Sequence, residues 1–104
     1  MSKNREYPKN PILGVGAVVL RGDMILLVKR GKEPYKGQWS IPGGKQKISE
    51  TVFEAVKREL YEETGIKVKK LEFLDFVDII LQDDQGKIIF HYTILDFKAK
   101  MVLR

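Results

Sequence analysis

Apolar positions fall into runs separated by short polar breaks. Residues 12–20 (ILGVGAVVL) and 24–28 (MILLV) are β-branched and apolar, with Arg21-Gly22-Asp23 between them. Two such runs around a short Gly-containing break predict a hairpin. Unbroken rather than alternating apolarity predicts strands buried on both faces. Residues 31–38 (GKEPYKGQ) read as a loop from their Gly and Pro content. Trp39-Ser40-Ile41 is a short extended piece that ends at Pro42-Gly43-Gly44. Residues 68–81 and 88–97 are two longer apolar runs, and Gln82-Asp-Asp-Gln-Gly86 between them predicts a second hairpin.

Residues 50–63 carry the one strong helical pattern. Ser49 is the expected N-cap, Glu50 suits the positive helix start, and Gly65 is the expected stop. At about 100° per residue, Val52, Phe53, Val56 and Leu60 form one apolar stripe. Glu63 falls inside that stripe, Glu59 at its edge and Glu62 further round. Ionised carboxylates at the edge of a buried face are costly without a partner. The element order β-β-(β)-loop-α-β-β predicts an α/β (α+β) fold, a mixed sheet covered by at least one helix. No repeat or linker interrupts the chain, so residues 1–104 read as a single domain.

Composition narrows the class. With 43% hydrophobic and 32% charged residues, the chain is globular rather than disordered. The absence of cysteine excludes disulfides and thiolate metal sites, and a lone histidine, His91, argues against a zinc site. No apolar run approaches the roughly 20 residues of a membrane span. The N-terminus lacks a signal-peptide core, so a cytoplasmic setting is expected. The net charge of +5 suits an anionic ligand. The Lys and Arg residues are scattered, which argues against a nucleic-acid groove.

Candidate chemistry concentrates in the helix. Glu59, Glu62 and Glu63 crowd together there, and crowded carboxylates repel one another unless a cation sits among them. All-oxygen donors suit a hard cation such as Mg²⁺. An isolated Glu cluster is ordinarily a solvated helix face, and Arg58 can pair with Glu54 or Glu62 with no catalytic role. The Gly43-Gly44 loop upstream changes that balance, because it brings free backbone carbonyls close to the helix.

Gly44, Glu50, Arg58, Glu59, Leu60, Glu62, Glu63, Gly65 and Ile66 meet every position of G-x5-E-x7-R-E-U-x-E-E-x-G-U, where U is aliphatic. This pattern resembles the signature of the Nudix hydrolases, and the likeness extends over about residues 11–98. The resemblance implies hydrolysis of a nucleoside diphosphate linked to another moiety. It implies that Glu59, Glu62 and Glu63 ligate Mg²⁺ or Mn²⁺, with the Gly44 carbonyl as a further ligand. Glu50 would orient a water or act as base, and Arg58 would hold the glutamates in place. Lys47 and Ser49 depart from common family usage, an acid and a glycine.

Residues 28–39 resemble members acting on ADP-ribose and similar nucleotide sugars. Arg30 is therefore a candidate to grip a phosphate, Gly43 and Lys45 are further candidate substrate-binding residues, and Tyr35, Trp39 and Phe76 are candidates to stack on a base. Oxidised nucleoside triphosphates are the alternative substrate, and a non-catalytic nucleotide-binding module is the alternative role. Asp83 and Asp84 are candidates for the general base against a reading as plain turn residues. Family domains usually run further and add a C-terminal helix, which this chain is expected to lack. An uncovered sheet edge or face favours a homodimer.

Overall fold

The computed structural model describes residues 5–102. In chain order the elements are β1 (Ile12–Arg21), β2 (Met24–Ile25), β3 (Val28–Lys29), β4 (Trp39–Ser40), β5 (Gly43–Lys45), α1 (Val52–Thr64), β6 (Val68–Gln82) and β7 (Ile88–Met101). The fold is a mixed α+β arrangement, as the alternation of runs predicted.

β1 is the spine of a five-stranded sheet. β7 lies parallel along one side of it, from Ile12 opposite Tyr92 to Val19 opposite Ala99. On its other side, β5 pairs antiparallel with Gly14–Gly16 and β2 with Leu20–Arg21. β6 pairs antiparallel with β7 and forms the outer edge. β3 and β4 make a separate two-stranded piece.

Alternation along β1 and β7 sends side chains to two faces. On one face Val15, Ala17, Val19, Phe97 and Ala99 pack against Ala55, Val56 and Leu60 of α1. Phe53 is half exposed, yet its ring meets Phe97 at 5.4 Å, and Phe73 meets the same ring edge-on at 5.7 Å. The other face, which carries Gly14, Gly16, Ile94 and Asp96, floors a cleft.

Two local expectations are corrected. The run 24–28 is not one buried strand. It splits into β2 and β3 at Leu26-Leu27, and Met24, Ile25 and Leu27 are exposed because only β1 and β4 flank these short pieces. The helix starts at Val52 with Thr51, not Ser49, as N-cap. The Thr51 hydroxyl accepts from the Glu54 N–H while the Glu54 carboxylate accepts from the Thr51 N–H, a reciprocal pair that outcompetes Ser49. Ser49 instead has φ +71°, outside the extended geometry of an N-cap. Gly65 ends the helix as expected, at φ +75° with its N–H on the Tyr61 carbonyl.

Candidate active site

Helix and cleft lie on opposite sides of the sheet, so the helical acids must reach past a strand. The passage is made by glycine. A Cβ on Gly44 would lie 2.2 Å from Cδ of Glu59, so the missing side chain is where the Glu59 carboxylate sits. The Gly43 N–H donates to Glu63 Oε1 at 2.9 Å. A Cβ on Gly43 would lie 2.1 Å from the Val15 carbonyl oxygen, so β5 can approach β1 this closely only as glycine. Glu59, Glu62 and Glu63 all line the resulting cleft, which has a volume of about 650 Å³. Glu63 therefore faces the cleft and is solvent-accessible, not buried in the apolar stripe where the helical wheel placed it.

Arg58 organises the acids from behind. Its Nε and Nη2 donate to the two oxygens of Glu50. Nη1 donates to Glu59 at 2.9 Å and Glu62 at 3.2 Å, and Nη2 also reaches the Lys45 carbonyl at 2.9 Å. Hydrogen bonding to Arg58 holds the Glu50 carboxyl down at about 2, opposed in part by burial. Glu63 is shifted the other way. Burial raises its carboxyl, the Gly43 N–H lowers it, the charge of Glu59 raises it and that of Arg30 lowers it.

The donor set fits a hard divalent cation. Three carboxylates and the backbone of Gly44 offer only oxygen, from one side of one cleft. Among the described residues no three acids close on a single point, because Arg58 draws Glu59 and Glu62 while Gly43 holds Glu63.

Other candidates divide. Arg30, Gly43 and Tyr35 line the cleft, and Arg30 lies within electrostatic reach of Glu63. Lys45 contributes its carbonyl to Arg58, and its side chain is not part of the cleft wall. Glu50 is likewise behind the cleft, with Arg58 and the Lys47 N–H on its oxygens. Trp39 and Phe76 are exposed outside the cleft. Asp83 is a turn residue: its carboxylate accepts from the N–H groups of Gln85 and Lys87 and from the Tyr7 hydroxyl. Neither it nor Asp84 reaches the cleft.

The sequence reading missed the cleft floor, where Val77, Ile79, Tyr92, Ile94 and Asp96 project from β6 and β7. The available signal was Asp96 itself, an acid within an apolar strand run.

The NUDIX domain family pattern matches residues 10–102. The chain belongs to the Nudix family. It resembles the ADP-ribose pyrophosphatase of Methanocaldococcus jannaschii at 38% identity, over 92% of this chain and 56% of that protein. It resembles the 8-oxo-dGTP diphosphatase of Buchnera aphidicola at 41% identity, over 61% of this chain and 50% of that one. The crystal structure of a MutT NUDIX hydrolase from Burkholderia pseudomallei matches with a TM-score of 0.80 at 34% identity, covering 92% of this chain and 72% of that one. This Nudix chain thus spans about half the length of the curated relatives it matches. No helix among its described residues is long and apolar enough to cross a membrane.

Proposed function

We propose that this Nudix chain is a cytoplasmic, Mg²⁺-dependent hydrolase that cleaves the pyrophosphate bond of ADP-ribose or a related nucleotide sugar. The observation that carries the reading is that Glu59, Glu62 and Glu63 all line one cleft with Arg30 in electrostatic reach of Glu63. Likeness to an ADP-ribose pyrophosphatase over nearly the whole chain favours that substrate.

A pyrophosphate repels an incoming nucleophile. Mg²⁺ or Mn²⁺ held by Glu59, Glu62, Glu63 and the Gly44 carbonyl would offset that charge and lower the pKa of a bound water. Arg58 keeps Glu59 and Glu62 from splaying into solvent, and the Gly43 N–H does the same for Glu63. Arg30 supplies a planar cation suited to phosphate oxygens. Glu50 fixes Arg58 rather than taking a proton, since both its oxygens are engaged and its carboxyl is held at about 2. The chain also pairs with a second copy across the exposed edge strand β6, where Phe73, Phe76 and Ile80 stand open.

The test is AMP release from ADP-ribose with Mg²⁺, lost in Glu62→Gln and Glu63→Gln. Full activity in both variants would reject the metal assignment. A second reading, hydrolysis of oxidised nucleoside triphosphates, is favoured by likeness to an 8-oxo-dGTP diphosphatase. Assaying 8-oxo-dGTP beside ADP-ribose decides between them.

A further inference from the structure

Asp96 is the one acid on the cleft floor contributed by β7. It stands beside Gly16 in the parallel β1–β7 register, and Gly16 stands beside Gly43 in the β1–β5 register. One row therefore runs Gly43, Gly16, Asp96 across three strands. The carboxylate leans toward the metal side of this row, because a Cβ on Gly16 would lie 2.5 Å from Asp96 Oδ1. That lean leaves Asp96 about one strand spacing, roughly 5 Å, from the Gly43 row, where Glu63 is held.

Among the described residues no side chain donates a hydrogen bond to this carboxylate. Its neighbour on the same face of β7 is apolar Ile94, and its cross-strand partner is another acid, Asp75. Burial and the Asp75 charge both raise its carboxyl above the usual range. A half-buried carboxylate without a donor calls for one from the ligand. A phosphate cannot serve, being of the same charge. On a nucleotide whose charges are all on its phosphates, the donor is then a neutral group close to them.

We infer that Asp96 accepts hydrogen bonds from the hydroxyls of the ribose next to the cleaved pyrophosphate, making the site selective for ribonucleotides over 2′-deoxyribonucleotides. A ribose is joined to its phosphate through a single carbon, so its hydroxyls fall nearer the metal side than any base edge does. A carboxylate presents two acceptor oxygens, which match two adjacent hydroxyl donors. The place a side chain on Gly16 would take is filled by the Asp96 carboxylate and the tip of Ile41, so the carboxylate is presented at the cleft floor between β7 and β5. The inference rests on reading the cleft as a nucleotide site.

The test is calorimetric binding of α,β-methylene-ATP and its 2′-deoxy analogue, neither of which can be cleaved at that position. The unmodified protein is expected to bind the ribonucleotide about ten-fold more tightly, the lower end for a hydrogen bond to a charged group. Asp96→Ala brings the ratio to near one. Asp96→Asn, the same shape with one acceptor, gives an intermediate ratio and guards against a misfolded alanine variant. Equal affinities in the unmodified protein, or an unchanged ratio in both variants, would overturn the inference, as would failure of both analogues to bind. A ribose preference that depends on Asp96 in a protein that hydrolyses nothing would support the inference while sinking the hydrolase reading.

Discussion

Arg58 and Glu50, eight residues apart, meet through two parallel hydrogen bonds, Nε to Oε2 and Nη2 to Oε1. The remaining N–H groups of the guanidinium go to Glu59, Glu62 and the Lys45 carbonyl. All five donors of the fork are thus used.

A lysine cannot reproduce that fork. Arg58→Lys is expected to keep the fold, lower the thermal midpoint and reduce kcat about ten- to hundred-fold, as loss of a ligand-orienting partner does. Steady-state kinetics beside a melting curve check this. Unchanged kcat would mean that the glutamates hold their places without Arg58.

The same pair sets an acid limit. The Glu50 carboxyl sits at about 2 in the folded protein against an ordinary value of 4.5. A group lowered on folding stabilises the fold above its unfolded pKa and loses that contribution as pH falls through the folded one. The gap in thermal midpoint between the unmodified protein and Glu50→Gln is therefore expected to be constant from neutral pH to about 4.5 and to close toward about 2. A gap that stays constant down to the lowest pH would show that the pairing depends on shape, not charge.

How much of this was legible depends on whether the information was local. The hairpins at 21–24 and 82–88 and the Gly65 stop were readable because turn chemistry is written in adjacent residues. The capping box Thr51–Glu54 is equally local, but Ser49 competes with it by lying nearer the start that the apolar stripe predicts. The glutamates were readable as a set through their spacing. Which way they face was not, because a helical wheel knows nothing of the glycine passage at Gly43-Gly44 that lets Glu63 turn to the cleft. Asp96 is hidden from the sequence for a related reason. Its meaning comes from Gly16 and Gly43, far off in sequence and beside it only in register.

The outer strand yields a prediction about association. Phe76 and Ile80 are 57% and 52% exposed on the helix-side face of β6. An edge strand with open apolar side chains is a template for pairing. Light scattering is expected to give twice the chain mass, and Phe76→Lys with Ile80→Lys to give a monomer. A monomer in the unmodified protein at tens of micromolar would exclude this surface.

The two adjacent glycines are expected to fail in different ways when given a methyl group. At Gly43 the obstacle is backbone, since the Val15 carbonyl oxygen lies 2.1 Å and the Gly16 Cα 2.9 Å from the new Cβ. Neither can move without parting β5 from β1, so Gly43→Ala is expected to cost about 1–3 kcal/mol of stability, as overpacking does. At Gly44 the obstacle is the Glu59 carboxylate at 2.2–2.4 Å, the end of a flexible side chain. That end swings away, so Gly44→Ala is expected to fold with a nearly unchanged melting point. Its loss appears instead in the thermal shift that Mg²⁺ produces, which reports binding to the folded state. Thermal melts of both variants, with and without Mg²⁺, separate the two outcomes. A Gly44→Ala protein that retains the full Mg²⁺ shift would show that the position of Glu59 against the glycine does not matter for the cation.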